Sequence, residues 1–174
     1  MQDTAAYLNT APPTPRNTNA PPRPASAMRV TVVGGSTVTE EQAAVAQRVG
    51  REVGRRGHTL VCGGLGGAMR AACRGASEAG GRTVGILPGP DPDAANEFVD
   101  VPVATGLGDA RNAMVVGNGD GVVAVDGAYG TLSEIALALN AGLPVAGLDT
   151  HDIDGVRGVD DAVAAVDYVE QSSG

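Results

Sequence analysis

The segment from Asp120 to Glu134 restricts the fold of this 174-residue chain more than any other segment. Its apolar run at 122–125, bracketed by Gly121 and Gly127, begins with two β-branched valines and predicts a buried strand. The glycines of the next turn let backbone amides approach a ligand, and Thr131 can cap the apolar helix that follows. A strand, a glycine turn and a helix N-terminus favour an anion-binding site, because free N–H groups and the helix dipole point at one spot.

Two interpretations of Glu134 follow from its position, three residues after Thr131. In the first, Glu134 completes a capping box by accepting a hydrogen bond from the Thr131 amide. In the second, it is a carboxylate with a chemical role at the mouth of a phosphate site, where an acidic group is otherwise unfavourable. The residue types favour the two interpretations about equally.

Strand and helix patterns alternate from residue 29 to residue 87. Right-handed crossovers between such strands give a parallel sheet with helices on both faces. Aromatic residues make up only 2% of the chain, so the core must be packed from Val, Ala, Leu and Ile, which suits an α/β fold. The C-terminal ends of parallel strands lie along one edge, where open α/β sheets bind ligands. We therefore expect Gly34 to Ser36, the loop 63–67 and the turn 126–131 to line that edge.

The remaining elements are predicted from the same patterns. Further strands are expected at 98–103 and 144–148, and helices are expected to begin near residues 39, 68, 107, 131 and 160. The helix that begins at Leu107 turns Leu107, Met114 and Val115 to one apolar face. Arg111 and Asn112 then lie on the opposite face, and taken alone Arg111 is interpreted as an ordinary surface arginine.

The glycine loop at 63–67 belongs to neither of two common nucleotide-binding motifs. It lacks the terminal Lys-Ser or Lys-Thr of a Walker loop, and its spacing does not match G-x-G-x-x-G. A dinucleotide site is therefore poorly supported. A smaller phosphate ligand suits the pattern better.

Composition separates a tail from a single domain. Residues 1–27 are rich in Pro, Ala, Thr and Asn without periodicity, which predicts a disordered tail. Residues 28–174 are long enough for one domain with its own core.

The charge of the chain excludes some partners. The net charge is −8 and all basic residues are arginine, an acidic surplus that suits high salt and indicates a halophilic source. It also argues against nucleic-acid binding, because no basic patch is visible. The sequence contains neither an apolar run that could span a membrane nor a signal-peptide pattern, so we expect a cytoplasmic protein with no membrane partner.

Cysteine and histidine residues give no metal-ligand pattern. Cys62 and Cys73 lack CxxC spacing and are interpreted as reduced core residues. His58 and His151 are isolated in the sequence. We expect no metal and no redox cofactor.

Four sequence segments together resemble one family. They run from Cys62-Gly63-Gly64 to Gly67-Ala68-Met69, from Gly81 to Pro88, from Asp109 to Asn112, and from Gly127 to Glu134. The combination, which covers about residues 29–150, is similar to the Lonely Guy (LOG) or lysine-decarboxylase-like family of the SLOG superfamily. The match is closest to the uncharacterised branch near the molybdenum-cofactor carrier proteins and DNA-processing protein A.

The resemblance implies a Rossmann-like three-layer sandwich, usually dimeric, with a mostly parallel sheet. Enzymes of the family hydrolyse the N-glycosidic bond of a nucleoside 5′-monophosphate and carry the motif Pro-Gly-Gly-x-Gly-Thr-x-x-Glu with an upstream Arg-Lys pair. Gly130, Thr131 and Glu134 match the motif, and Arg111 matches the arginine. In this chain Asp126-Gly127-Ala128 replaces Pro-Gly-Gly, and Asn112 replaces the lysine. We expect the alanine to tighten the turn and Asp126 to bring negative charge near a phosphate site.

Two functions follow from the resemblance. As a phosphoribohydrolase, the protein would use Glu134 to stabilise an oxocarbenium-like sugar or to activate water, with Arg111 holding the phosphate or orienting Glu134. Alternatively, it is a non-catalytic carrier or binding protein for a nucleotide or a pterin phosphate of molybdenum-cofactor type. The residues expected to bind the phosphorylated ligand are Gly34, Gly35, Ser36, Gly63, Gly64, Gly66, Gly67, Met69, Asn112, Gly127, Gly130 and Thr131.

Overall fold

One parallel sheet forms the centre of the computed structural model, which describes residues 27–173. The predicted tail, apart from residue 27, lies outside the described residues. The strands are β1 (Arg29–Gly34), β2 (Thr59–Cys62), β3 (Arg82–Leu87), β4 (Val101–Ala104), β5 (Gly121–Val125), β6 (Val145–Leu148) and β7 (Val156–Gly158). The helices are α1 (Glu40–Arg55), α2 (Gly67–Glu78), α3 (Asn112–Gly117), α4 (Tyr129–Asn140) and α5 (Ala162–Ser172).

The strand order places β1 and β5 together at the middle of the sheet. The order is β4-β3-β2-β1-β5-β6-β7, and every neighbouring pair is parallel. From β1 the chain proceeds outward through β2 to β4, and it then returns to start β5 on the other side of β1. This change of direction makes the crevice beyond the C-terminal ends of β1 and β5 the expected ligand position in an open α/β sheet.

Two apolar layers cover the sheet, because alternate strand residues point to opposite faces. On one face the helices α1, α2 and α5 pack against residues such as Val32, Leu60 and Val123. On the other face α3 and α4 pack against Val33 and Val122 among others. The predicted Rossmann-like three-layer α/β fold with a parallel sheet is therefore confirmed.

The two cysteines belong to the apolar core, as predicted. Cys62 and Cys73 are free and buried, and their Sγ atoms lie 3.4 Å apart. No helix within residues 27–173 combines the length and the hydrophobicity needed to cross a membrane.

Most element boundaries agree with the sequence prediction within about two residues, but two segments differ. The strand predicted at 98–103 begins only at Val101, and β7 was not predicted. The helix predicted from Leu107 is a 3₁₀ turn at Gly108–Arg111 followed by α3. That turn repeats every three residues rather than every 3.6, which changes the faces that the following side chains occupy.

Candidate functional site

A cavity of about 240 Å³ lies at the C-terminal ends of β1 and β5, and we call it the rim cavity. It occupies the crevice where the chain changes direction across the sheet. Its lining residues are Gly34, Gly35, Ser36, Leu65, Met69, Pro88, Asp109, Arg111, Asn112, Ala128, Gly130, Thr131 and Glu134.

A backbone hydrogen bond joins the turns that follow β1 and β2 at one side of the rim cavity. The Ala68 amide donates a 2.9 Å hydrogen bond to the Gly35 carbonyl oxygen. Gly67 has a positive φ of 59°, and a Cβ atom there would lie 2.2 Å from that same oxygen. Only glycine accommodates both the backbone angle and the close approach. Gly67 thus holds the Gly34 to Ser36 turn against the start of α2.

The N-terminus of α4 forms another side of the rim cavity. The cap residue is Ala128, which makes no side-chain cap hydrogen bond. The first amides of a helix have no partner within the helix, so they stay available to an anion. The sequence prediction that Thr131 caps this helix is wrong, because Thr131 lies inside the first turn. There its side chain packs against Gly127, where a Cβ atom would lie 2.3 Å from the Thr131 Oγ1 atom.

Glu134 is not part of a capping box, so this first interpretation of the residue is wrong. Helix α4 begins at Tyr129, which places Glu134 beyond the capping position, and its residue surface is only 7% exposed. One of its carboxylate oxygens, Oε1, lies 3.5 Å from Nη1 of Arg111. The structure therefore brings together the two side chains proposed as a catalytic pair.

Arg111 is buried, with 8% of its surface exposed, which contradicts its interpretation as a surface arginine. The predicted faces of this region are also wrong, since Leu107 and Met114 are exposed and Asn112 is buried. The 3₁₀ turn causes the change, because it rotates Arg111 and Asn112 toward the sheet. Val115 remains buried, as predicted.

Neighbouring side chains hold the Arg111 guanidinium in place but do not use all of its hydrogen-bond donors. Nη1 donates a 2.6 Å hydrogen bond to Oδ1 of Asn112, whose Nδ2 donates to Oγ of Ser133 at 2.9 Å. The Nε atom of Arg111 has no hydrogen-bond partner among residues 27–173. Asn112, in the place of the family's lysine, thus orients Arg111 and links α3 to α4 without adding a charge.

Burial raises the pKa of Glu134 to about 7, and the charge of Arg111 only partly opposes this shift. Near neutral pH a large fraction of the side chain is therefore protonated. A protonated Glu134 repels an anion less than a carboxylate does, and a pKa near 7 also suits proton transfer.

Nine of the fourteen residues predicted for the site line the rim cavity. The other five predicted residues are glycines of the neighbouring turns and do not line the cavity themselves. They are Gly63, Gly64, Gly66, Gly67 and Gly127. A Cβ atom on Gly63 would lie 2.7 Å from Nη2 of Arg111, so Gly63 provides the space for that guanidinium.

Four further residues complete the lining, namely Leu65, Pro88, Asp109 and Ala128. Leu65 and Ala128 belong to the loop and the turn that were expected at this edge. Sequence analysis did not place Pro88 and Asp109 at the site, although two signals could have found them. Pro88 ends β3 at the same edge of the sheet, and Asp109 belongs to the segment that contains Arg111.

The altered turn before α4 differs from its sequence prediction. Ala128 has extended backbone angles, φ −114° and ψ −151°, which any residue adopts, so the alanine does not tighten the turn. Asp126 lines a second cavity of about 600 Å³ between α1, α5 and the ends of β5 and β6, and it is not among the lining residues of the rim cavity. The Asp126 carboxylate nevertheless lies close to the rim cavity, as expected, because a Cβ atom on the lining residue Gly35 would lie 3.5 Å from its Oδ2 atom.

Among residues 27–173 no group of three or more His, Cys, Asp or Glu side chains is placed to hold a metal ion. The polar groups at the rim cavity are backbone amides, Arg111 and the neighbouring polar side chains.

Relatives of known structure share this architecture. The molybdenum cofactor binding protein from the phototrophic bacterium Rippkaea orientalis is 30% identical with a TM-score of 0.79, covering 83% of this chain and 96% of that chain. The molybdenum cofactor carrier protein MCP from Chlamydomonas reinhardtii is 33% identical with a TM-score of 0.74, covering 84% of this chain and 98% of that chain. A relative known by its sequence, an uncharacterized protein of Archaeoglobus fulgidus, is 42% identical over 147 residues, which are 84% of this chain and 97% of that protein.

A family model extends the likeness to the whole described chain. The model of the SLOG cluster4 family matches residues 27–173. Together with the relatives above, this match confirms the predicted resemblance to the SLOG superfamily near the molybdenum-cofactor carriers. The chain belongs to the SLOG cluster4 family.

Proposed function

We propose that this protein binds a phosphorylated small molecule in the rim cavity and acts as a carrier or binding protein for a pterin phosphate of molybdenum-cofactor type. The observation that carries the proposal is the uncapped N-terminus of α4, which meets the buried Arg111 in one cavity. Amides at a helix N-terminus and a guanidinium fork are both complementary to phosphate oxygens.

The electrostatics of the pair favour an anion. Arg111 supplies the positive charge of the pair, whereas the raised pKa of Glu134 leaves that side chain partly neutral near pH 7. The pair therefore carries net positive charge over much of the neutral range. A bound phosphate would complete the charge balance of a cation that its protein neighbours only partly neutralise.

The relatives support a carrier more than an enzyme. The proteins of Rippkaea orientalis and Chlamydomonas reinhardtii are described as a molybdenum cofactor binding protein and a molybdenum cofactor carrier protein. In this chain the uncapped N-terminus of α4 and the Arg111 guanidinium offer groups complementary to the phosphate of such a ligand.

A nucleoside 5′-monophosphate phosphoribohydrolase is the second candidate, and the contact between Glu134 and Arg111 favours it. The glycosidic bond breaks through an oxocarbenium-like sugar, which a carboxylate stabilises. Glu134, with a pKa of about 7, could also accept a proton from an attacking water. Arg111 would hold the phosphate and orient Glu134.

Calorimetric binding and a base-release assay separate the two candidates. The ligand panel contains a pterin monophosphate, AMP, GMP and ribose 5-phosphate, in high salt. Binding without release of free base supports the carrier, whereas release that Glu134→Gln abolishes supports the hydrolase. Arg111→Ala should weaken binding about 10- to 100-fold, the effect of losing a charged hydrogen bond. Arg82→Ala, which changes an exposed arginine at the start of β3, is the matched control. Lack of binding by every phosphorylated ligand would refute both candidates.

The outward face of α4 suggests a second copy of this chain as a partner. The α4 residues of this face, Ser133, Ala136, Leu137 and Asn140, are uncharged in a chain with net charge −8, and Asp109 lines the same surface depression. An uncharged helix face lessens the repulsion between two molecules of the same net charge. Exposed Met114 adds apolar surface beside it. We infer that two copies pair through this face around a two-fold axis.

A further inference from the structure

Tyr129 is an aromatic residue whose ring is not packed into the core of the described chain. Phe98 and Tyr168 are partly buried against the core. Their rings also receive arginine guanidinium groups, Arg70 at 5.4 Å and Arg157 at 5.9 Å. Tyr129 is 88% exposed. A ring with this exposure contributes little to the core, so its faces are accessible to a molecule outside the folded chain.

The position of Tyr129 relates the ring to the rim cavity. It is the first residue of α4 and lies between Ala128 and Gly130, which both line the cavity. Its backbone is therefore fixed at the cavity edge, while its side chain extends outside the lining. Because Tyr129 is 88% exposed, rotation about its side-chain bonds can bring the ring over the cavity mouth.

The size of the rim cavity requires a large ligand to project from it. Its volume of about 240 Å³ is below the ~300–1,000 Å³ of pockets that enclose a whole cofactor-sized ligand. The anion-binding groups, Arg111 and the first amides of α4, hold the phosphate end inside. The ring system of a nucleotide or a pterin phosphate would then extend toward solvent on the side where Tyr129 stands.

We propose that Tyr129 is a stacking platform for the planar heterocycle of the ligand. The inference deepens the proposed function and rests on it. Stacking needs only a flat ring, so Tyr129 would select phosphorylated heterocycles over sugar phosphates without specifying one base. The substrate class is therefore a phosphate ester that carries a purine, pyrimidine or pterin ring.

Three variants at position 129 test the proposal. Tyr129→Ala removes the ring, Tyr129→Phe keeps it, and Tyr129→Trp introduces the only tryptophan of the chain. Affinities are measured by calorimetry for AMP and a pterin monophosphate, which contain a ring, and for ribose 5-phosphate, which does not. Ring contact is measured separately as quenching of the Tyr129→Trp fluorescence.

The expected result is selective. Tyr129→Ala should lose about 5- to 100-fold in affinity for whichever ring-containing phosphate the wild type binds, and it should bind ribose 5-phosphate unchanged. Tyr129→Phe should bind like the wild type, and the ring-containing ligands alone should quench the Tyr129→Trp emission.

Other results would overturn the proposal in distinguishable ways. Unchanged affinity of Tyr129→Ala for the ring-containing ligands, or an equal loss for ribose 5-phosphate, rejects stacking and leaves the proposed function intact. A change of oligomeric state in Tyr129→Ala without a change in affinity would assign the ring to a protein contact. If the wild type binds none of the three probes, the proposed function and the stacking role both fail.

Discussion

Glu134→Gln should abolish a pH dependence of stability that the buried carboxyl group creates. The pKa of Glu134 is raised from 4.5 to about 7 in the folded protein, chiefly by burial. The folded state therefore binds more protons than the unfolded state between these values, so the free energy of unfolding decreases as pH rises through this window. A difference of about 2.5 pKa units corresponds to about 3 kcal/mol, most of it lost between pH 5 and pH 8.

The assay is urea unfolding followed by circular dichroism at pH 5, 6, 7 and 8 and constant ionic strength. Wild type should lose about 2–3 kcal/mol of unfolding free energy across this series relative to Glu134→Gln. The comparison uses the pH slopes, so a constant offset from the altered Arg111 contact does not matter.

Glu97→Gln serves as the matched control. Its exposed carboxylate pairs with Arg70, and that hydrogen bond lowers the pKa of Glu97. Its contribution is present above the unfolded pKa and is lost only as pH falls, so its slope between pH 5 and pH 8 should equal that of the wild type. If Glu134→Gln also keeps the wild-type slope, the argument that Glu134 is buried with a raised pKa is wrong.

Three further predictions concern the ligand site, the assembly and acid stability. Gly63→Ala should displace the Arg111 guanidinium and weaken phosphate-ligand binding about tenfold by calorimetry, whereas Gly117→Ala, whose new Cβ meets nothing within 4 Å, should not. Leu137→Glu should convert the proposed dimer to a monomer in light scattering, because it buries a charge in the uncharged face of α4; an unchanged mass would reject that interface. Arg55 and Arg56 lower the pKa of Glu52 to about 2. In urea unfolding, Glu52→Gln should therefore destabilise the protein at pH 7 but not at pH 2. Equal destabilisation at the two pH values would contradict this pairing.

The sheet and its ligand-binding edge could be predicted because they depend on short-range patterns. Valine-rich runs such as 122–125 end in glycine turns, and parallel strands then bring those turns to one edge. The short strand β7 escaped prediction because Val156–Gly158 contains a charged and a flexible residue and no apolar alternation. Tertiary pairing with β6, rather than local propensity, makes it a strand.

The environments of the site residues could not be predicted from sequence. Thr131 has the residue type of a helix cap, but Asp126 and Gly127 both adopt positive φ and let α4 start earlier, at Tyr129. Arginine is a residue type that usually lies at the surface, but the 3₁₀ turn at Gly108–Arg111 directs the Arg111 side chain inward. Both outcomes depend on backbone angles that periodicity does not encode.

Asn112 connects the altered motif to the proposed role in binding. A lysine at this position would put a second cation beside Arg111, whereas Asn112 accepts a 2.6 Å hydrogen bond from Arg111 and donates one to Ser133. The site thereby keeps one fixed positive charge, balanced by a carboxyl group that is partly neutral near pH 7. A single cation and a helix N-terminus suffice to hold a phosphate but attract it less than two cations would, which favours a ligand that must also be released. The proposed carrier requires this reversibility, and Asn112 would allow it while its hydrogen bonds hold Arg111 in position.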